Sequence, residues 1–99
     1  MSFGVRFTLE AKSTLERSYG VLAEQDPQAA ERALDVIDRA WAILEEFPFS
    51  CRRVEDPNPF LREIFLPFGS AGYVPLFEIE DRQTVTVLAG RHQREDDYR

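Results

Sequence analysis

The stretch Tyr73-Val74-Pro75-Leu76-Phe77-Glu78-Ile79-Glu80-Asp81-Arg82-Gln83-Thr84-Val85-Thr86-Val87-Leu88-Ala89-Gly90 decides the fold class. Two strand-forming runs, residues 73–80 and 83–90, meet at the short turn Glu80-Asp81-Arg82, which begins on the last residue of the first run. So short a connection requires an antiparallel pair, since a parallel crossover takes roughly a dozen residues or more. In the second run Val85, Val87 and Ala89 alternate with Thr84 and Thr86, the pattern of a sheet covered on one face and partly open on the other. Pro75 has no amide proton to give to a ladder, so a bulge or an edge is expected there.

Outward from this hairpin, residues 61–67 form a third strand candidate. Gly69-Ser70-Ala71-Gly72 joins it to the hairpin, and both glycines suit turn positions that need φ > 0. Residues 49–59 contain Pro57 and Pro59 and read as a loop. Upstream, Asp26 is a good N-cap and Pro27 suits the first helical position. Ala30, Ala33, Leu34, Ile37, Trp41 and Leu44 then recur as a helical stripe, widened by Val36, Ala40, Ile43 and Phe47, until Pro48 stops the helix. Before Asp26, Ala11, Leu15, Tyr19 and Leu22 mark another helix, capped by Thr8 and interrupted by Gly20. Phe3, Val5 and Phe7 alternate as a short strand. The order is β-α-α-β-β-β: an α+β, two-layer arrangement in which a helical hairpin packs on a mainly antiparallel sheet.

At 99 residues and 43% hydrophobic, the chain is long enough for one domain spanning residues 1–99 with a modest core. Its net charge of −6 argues against coating nucleic acid by charge alone and against docking on an anionic membrane. One cysteine, Cys51, excludes an internal disulfide, and one histidine, His92, excludes the familiar Cys/His zinc patterns. No run is apolar enough to span a membrane. The expectation is a cytoplasmic protein with no metal and no cofactor.

The glycines fit neither the dinucleotide-binding nor the phosphate-loop spacing. Cys51 with His92 as base is weighed against a half-buried thiol, and the thiol is favoured. Glu45 and Glu46 are adjacent on a helix and so diverge. The arginines are more informative: eleven against one lysine, Lys12. Arg62, Arg91 and Arg94 lie on or beside the sheet. A guanidinium there can grip phosphate or carboxylate, but on charge alone pairing with Glu63, Glu78 or Glu95 is the favoured reading. The run Gly90-Arg91-His92-Gln93-Arg94-Glu95-Asp96-Asp97-Tyr98-Arg99 gathers two arginines, the histidine and a tyrosine within the eight residues 91–98. Its chemistry suits metal-independent RNA cleavage, with His or Tyr moving the 2′-hydroxyl proton and arginine stabilising the phosphorane-like state. A polar tail whose residues only bind a partner is the favoured reading on the residues alone.

Several segments resemble the RelE/ParE toxin superfamily: Phe7-Thr8-Leu9-Glu10-Ala11, Leu61-Arg62-Glu63, Pro67–Tyr73, Val74–Ile79, and above all Arg91-His92-Gln93-Arg94-Glu95 with Tyr98 beyond. The resemblance covers nearly the whole chain in family order. It implies a type II toxin neutralised by a cognate antitoxin, with DNA reached only through that antitoxin. RelE-like members cut messenger RNA on the ribosome; ParE-like members inhibit DNA gyrase. By position, Arg62, His92 and Tyr98 match the nuclease branch's catalytic places, and Arg91, His92, Arg94 and Tyr98 form the candidate target-binding set. Residues 60–94 carry four basic groups and four acidic ones, however, where a nuclease brings a basic sheet to ribosomal RNA. This favours the ParE-like branch, a gyrase inhibitor rather than an enzyme, with a ParD-like ribbon-helix-helix antitoxin. The alternative is a RelE-like ribosome-dependent endonuclease. For the antitoxin, the expected contacts are Val36, Arg39, Ile43, Phe47, Arg52 and Arg53. The competing expectation is that Val36, Ile43 and Phe47 complete the core beneath the 49–59 loop.

Overall fold

The structure is a computed structural model that describes residues 2–69 and 71–93. The elements run β1 (Gly4–Phe7), α1 (Leu9–Gln25), α2 (Pro27–Glu46), a 3-10 turn (Pro48–Ser50), β2 (Arg52–Arg53), β3 (Leu61–Glu63), β4 (Leu66–Phe68), β5 (Ala71–Ile79) and β6 (Thr84–His92). The helices form one layer over a six-stranded sheet of order β1-β6-β5-β3-β2, with β4 also paired to β5. All pairs are antiparallel except β1 with β6. The α+β expectation holds.

Both helices begin where their caps dictate. Thr8 Oγ1 accepts from the Ala11 N–H at 3.1 Å, and its hydroxyl donates to the Leu88 carbonyl at 2.8 Å, tying the start of α1 to β6. Asp26 closes one helix and opens the other. Its N–H donates to the Leu22 carbonyl while its Oδ1 accepts from the Ala29 N–H, so the chain must double back there. Ala11, Leu44, Phe77, Ile79, Val85 and Val87 make one core cluster, and Ala33, Ala40, Leu66, Phe68 and Tyr73 a second. Trp41 and Ile64 pack against both.

The buried seam of α2 is rotated from the stripe expected. Ala29, Ala33, Ala40 and Leu44 are buried and Val36 is half-buried against the second cluster, whereas Leu34 is 50% exposed. Small alanines let the backbone approach the sheet closely. At about 100° per residue, that orientation turns Leu34 out to solvent. Ala40 is therefore a core residue, and Val36 is half-buried at the edge of the second cluster. Ile43 and Phe47 do remain on the surface.

The third strand candidate, residues 61–67, is broken into β3 and β4 by Ile64 and Phe65, and the loop carries the short β2. Pro75 explains the break. Its carbonyl accepts from the Ile64 N–H at 3.2 Å, so its protonless nitrogen points the same way, into the gap between β3 and β4. Of the two turn glycines, only Gly69 has positive φ, at 62°. Gly72 lies inside β5, where an added Cβ would sit 2.2 Å from the Phe65 ring. The face away from the helices is not uniformly open, since Val74 and Glu63 are buried on it.

Candidate functional site

Arg91 and His92, adjacent in β6, take opposite faces of the sheet, and one extra residue decides which face each takes. Leu76 pairs with Ala89 but Phe77 with Val87, so Leu88 is a bulge on β6. Directly opposed residues share a face. Before the bulge Val85 and Val87 lie with Ile79 and Phe77 under the helices. Beyond it Ala89 crosses to the other face with Leu76, contrary to the simple alternation, and Gly90 and His92 take the helix face opposite Pro75 and Tyr73. Arg91 is left on the far face with Val74.

On that far face Arg91 Nη2 lies 3.5 Å from Glu63 Oε2. Arg52 pairs with the other carboxylate oxygen. The Arg91 Nη1 also donates to the carbonyls of His92 and Gln93 at 3.4 and 3.2 Å. Glu63 is the buried acid among the described residues, held between two guanidiniums, as the pairing expectation anticipated for Arg91.

His92 lines a cavity of about 330 Å³ at the C-terminal half of α1, together with Arg17, Ser18, Gln25, Phe68 and Tyr73. Tyr73 is stacked on Phe68 at 5.6 Å, and burial pushes its phenol up to about 12, the Arg17 charge opposing this only in part. It therefore stays a neutral hydroxyl at physiological pH and offers no base. Sequence reasoning does not single out Arg17 or Tyr73. Arg17 lies off the apolar stripe of α1, and only the chain's return brings it beside His92.

Arg62 goes elsewhere. It pairs with Phe77 in register, so it shares the helix side of the sheet. There Nε donates to Pro59 O and Nη1 to Phe49 O and Cys51 O, each at 3.0 Å, with the guanidinium 5.5 Å from the Phe49 ring centre. These bonds pin the 49–61 segment. Arg62 lines neither cavity nor ion pair of the other candidates. Arg94 and Tyr98 lie outside the described residues. Cys51 packs against the first core cluster, and burial pushes its thiol up, the reverse of what a nucleophile needs. It lines a different cavity from His92.

The expected antitoxin contacts are dispersed. Ile43 and Arg52 line one cavity of about 390 Å³ with Glu63 and Phe65. Val36 lines another, beside Arg32 and Pro67. Arg39, Phe47 and Arg53 are exposed. Among the described residues there is no group of His, Cys, Asp or Glu able to hold a metal ion, and no helix is long and apolar enough to cross a membrane.

The comparisons agree with this architecture. The model of the ParE toxin of the type II toxin-antitoxin system parDE matches residues 5–97. Toxin RelE1 of Caulobacter vibrioides is 38% identical over 74 residues, covering 75% of this chain and 76% of that protein. A β-α-α sheet scaffold with the matching C-terminal motif, and a family match across nearly its whole length, make this chain a member of the ParE toxin family: the toxin of a type II toxin–antitoxin system, made to be held by a cognate antitoxin.

Proposed function

We propose that this toxin arrests growth by acting on DNA gyrase, as the ParE-like branch does, and not by cutting RNA. The observation that carries this reading is the balance of charge on the sheet's far face, supported by the separation, among the described residues, of Arg62 and Arg91 from His92. Cleavage needs a proton-transferring group and a charge-stabilising guanidinium within reach of one phosphate. Here Arg62 is committed to loop carbonyls and Arg91 to Glu63 on the other side of the sheet from His92, which leaves Arg17, off the family's motif, as the guanidinium that shares the His92 cavity. The far face carries Glu63, Glu78 and Glu80 beside Arg6, Arg52 and Arg91, which gives it no positive field to draw in a polyanion.

In this reading the end of β6 and the C-terminal residues beyond it contact the target through Arg91, His92, Arg94 and Tyr98. Arg91 acts through its hold on Glu63. A ParD-like antitoxin covers Ile43, Phe47 and the Arg52–Arg53 edge, with Arg39 at the margin. Val36, half-buried, supports that surface from below. The relative's name, Toxin RelE1, is the support for the alternative, a RelE-like ribosome-dependent endonuclease.

Induction of the toxin without antitoxin is expected to trigger a DNA-damage response while transcripts stay full length. His92→Ala, at a surface position, should relieve the arrest at matched soluble expression. Codon-phased transcript cleavage that disappears with His92→Ala would establish the nuclease instead.

A further inference from the structure

We infer that the end of the sheet remote from His92 is a docking surface for a cationic amphipathic protein segment, which inserts a large apolar side chain. A cavity of about 470 Å³ opens there, walled by Phe3, Phe49, Phe60 and Ile79 and by the Glu80–Arg82 turn. The apolar walls come from four separate segments, so the fold sets their spacing. Phe49 and Phe60 meet edge to face at 6.2 Å, yet stay 52% and 46% exposed. A rigid aromatic cleft left half-wet is the signature of a surface that a partner covers.

The charges around it select the partner. Helix α2 ends in Glu45-Glu46 with no basic residue in its last turn. The Glu45 carbonyl accepts from the Phe3 N–H at 2.7 Å, which sets that helix end against the cavity wall. A helix C-terminus is already negative, so two glutamates there deepen the potential instead of offsetting it. Across the cleft lie Glu80 and Asp81. The Gln83 N–H holds the Asp81 carboxyl below its ordinary value, so it is charged at neutral pH. Glu80 and Asp81 at the cavity and Glu45 and Glu46 at the helix end outnumber the cations Arg82, on the rim, Arg6, which acts on Asp81, and Arg62, which lies over the Phe49 ring. Lysines or arginines flanking an apolar anchor would meet these carboxylates and the exposed Phe60 ring, Arg62 already lying over Phe49. An acidic segment would be repelled. The site lies about 26 Å along β6 from His92, at roughly 3.3 Å per residue. Its occupancy is thus independent of the target proposed above.

The test is fluorescence anisotropy of the full-length toxin with a labelled synthetic amphipathic peptide of lysine, leucine and phenylalanine, and with the same peptide carrying glutamate for lysine. The basic probe should bind saturably and the acidic one should not. Phe60→Ser should weaken binding by about tenfold or more, the effect of removing a central aromatic anchor. Glu80→Gln with Asp81→Asn, which removes the charges but keeps the oxygen acceptors that Thr86 and Gln83 use in the turn, should weaken it comparably. Glu31→Gln with Asp35→Asn makes the same change in net charge at exposed positions in the first half of α2 and should leave affinity unchanged. No saturable binding, equal affinity for both probes, or an equal loss from the Glu31/Asp35 variant would overturn the inference.

Discussion

Gly90→Ala is expected to destabilise the protein by about 3 kcal/mol, at the upper end of what overpacking costs. An added Cβ would stand 1.9 Å from the Tyr73 Oη and 2.2 Å from Cζ. The ring cannot swing aside cheaply. It is 4% exposed, stacked on Phe68 and walled in by Leu66 and α2's Ala33. Either β6 must part from β5 near its bulge or Tyr73 must leave the second core cluster. In a domain of this size the melting temperature should fall by roughly 12 °C or more. A double-mutant cycle identifies the cause. In a Tyr73→Ala background, itself destabilised, the added methyl finds space and Gly90→Ala should cost less than about 1 kcal/mol. Equal costs in both backgrounds would mean that the strand itself, not the ring, requires glycine.

Glu63→Ala is expected to cost about 3 kcal/mol. The Glu63 side chain is only 9% exposed, and the Arg91 side chain facing it 14%. Removing one member of a buried pair costs roughly 3–5 kcal/mol, because the remaining charge keeps its desolvation without the compensating partner. The lower end applies because Arg91 also holds the carbonyls of His92 and Gln93. Glu63→Gln keeps an acceptor and should cost less. Arg52→Ala should cost under about 1 kcal/mol, since its side chain is 69% exposed and water already screens that arm of the pair. Chemical denaturation of the three variants separates the arms. A larger loss from Arg52→Ala than from Glu63→Ala would place the anchoring charge on the wrong strand.

The helical hairpin is legible in the sequence because its signals are local. Thr8, Asp26 and Pro27 cap and start the helices within one turn of themselves, and the structure puts the helix boundaries where those residues require. The β5–β6 hairpin is legible for the same reason. The features that escape the sequence depend on partners distant in the chain. The parallel seat of β1 beside β6 joins residues some eighty positions apart, and no residue of Gly4–Phe7 specifies it. The break between β3 and β4 is set by Pro75, whose missing proton matters only once β5 lies alongside. Leu34 and Val36 exchange expected places because the rotation of α2 is chosen by how closely its alanines can approach β4.

The candidate site is legible in its residue types but not in its geometry. Period-2 alternation continued through Leu88 would put Arg91 on the helix face; the bulge reverses it and gives that face to His92. Pairing of Arg91 with Glu63 follows from charge, whereas the Arg62 contacts with three loop carbonyls leave no sequence pattern to find.

The most direct measurement is DNA supercoiling by purified gyrase in the presence of purified toxin, run beside a purified translation reaction. Supercoiling should stop at toxin concentrations near those of the enzyme and resume when the cognate antitoxin is added, while messenger RNA on translating ribosomes stays intact. Unimpeded supercoiling together with ribosome-dependent cleavage of the messenger would contradict a gyrase inhibitor and identify a nuclease.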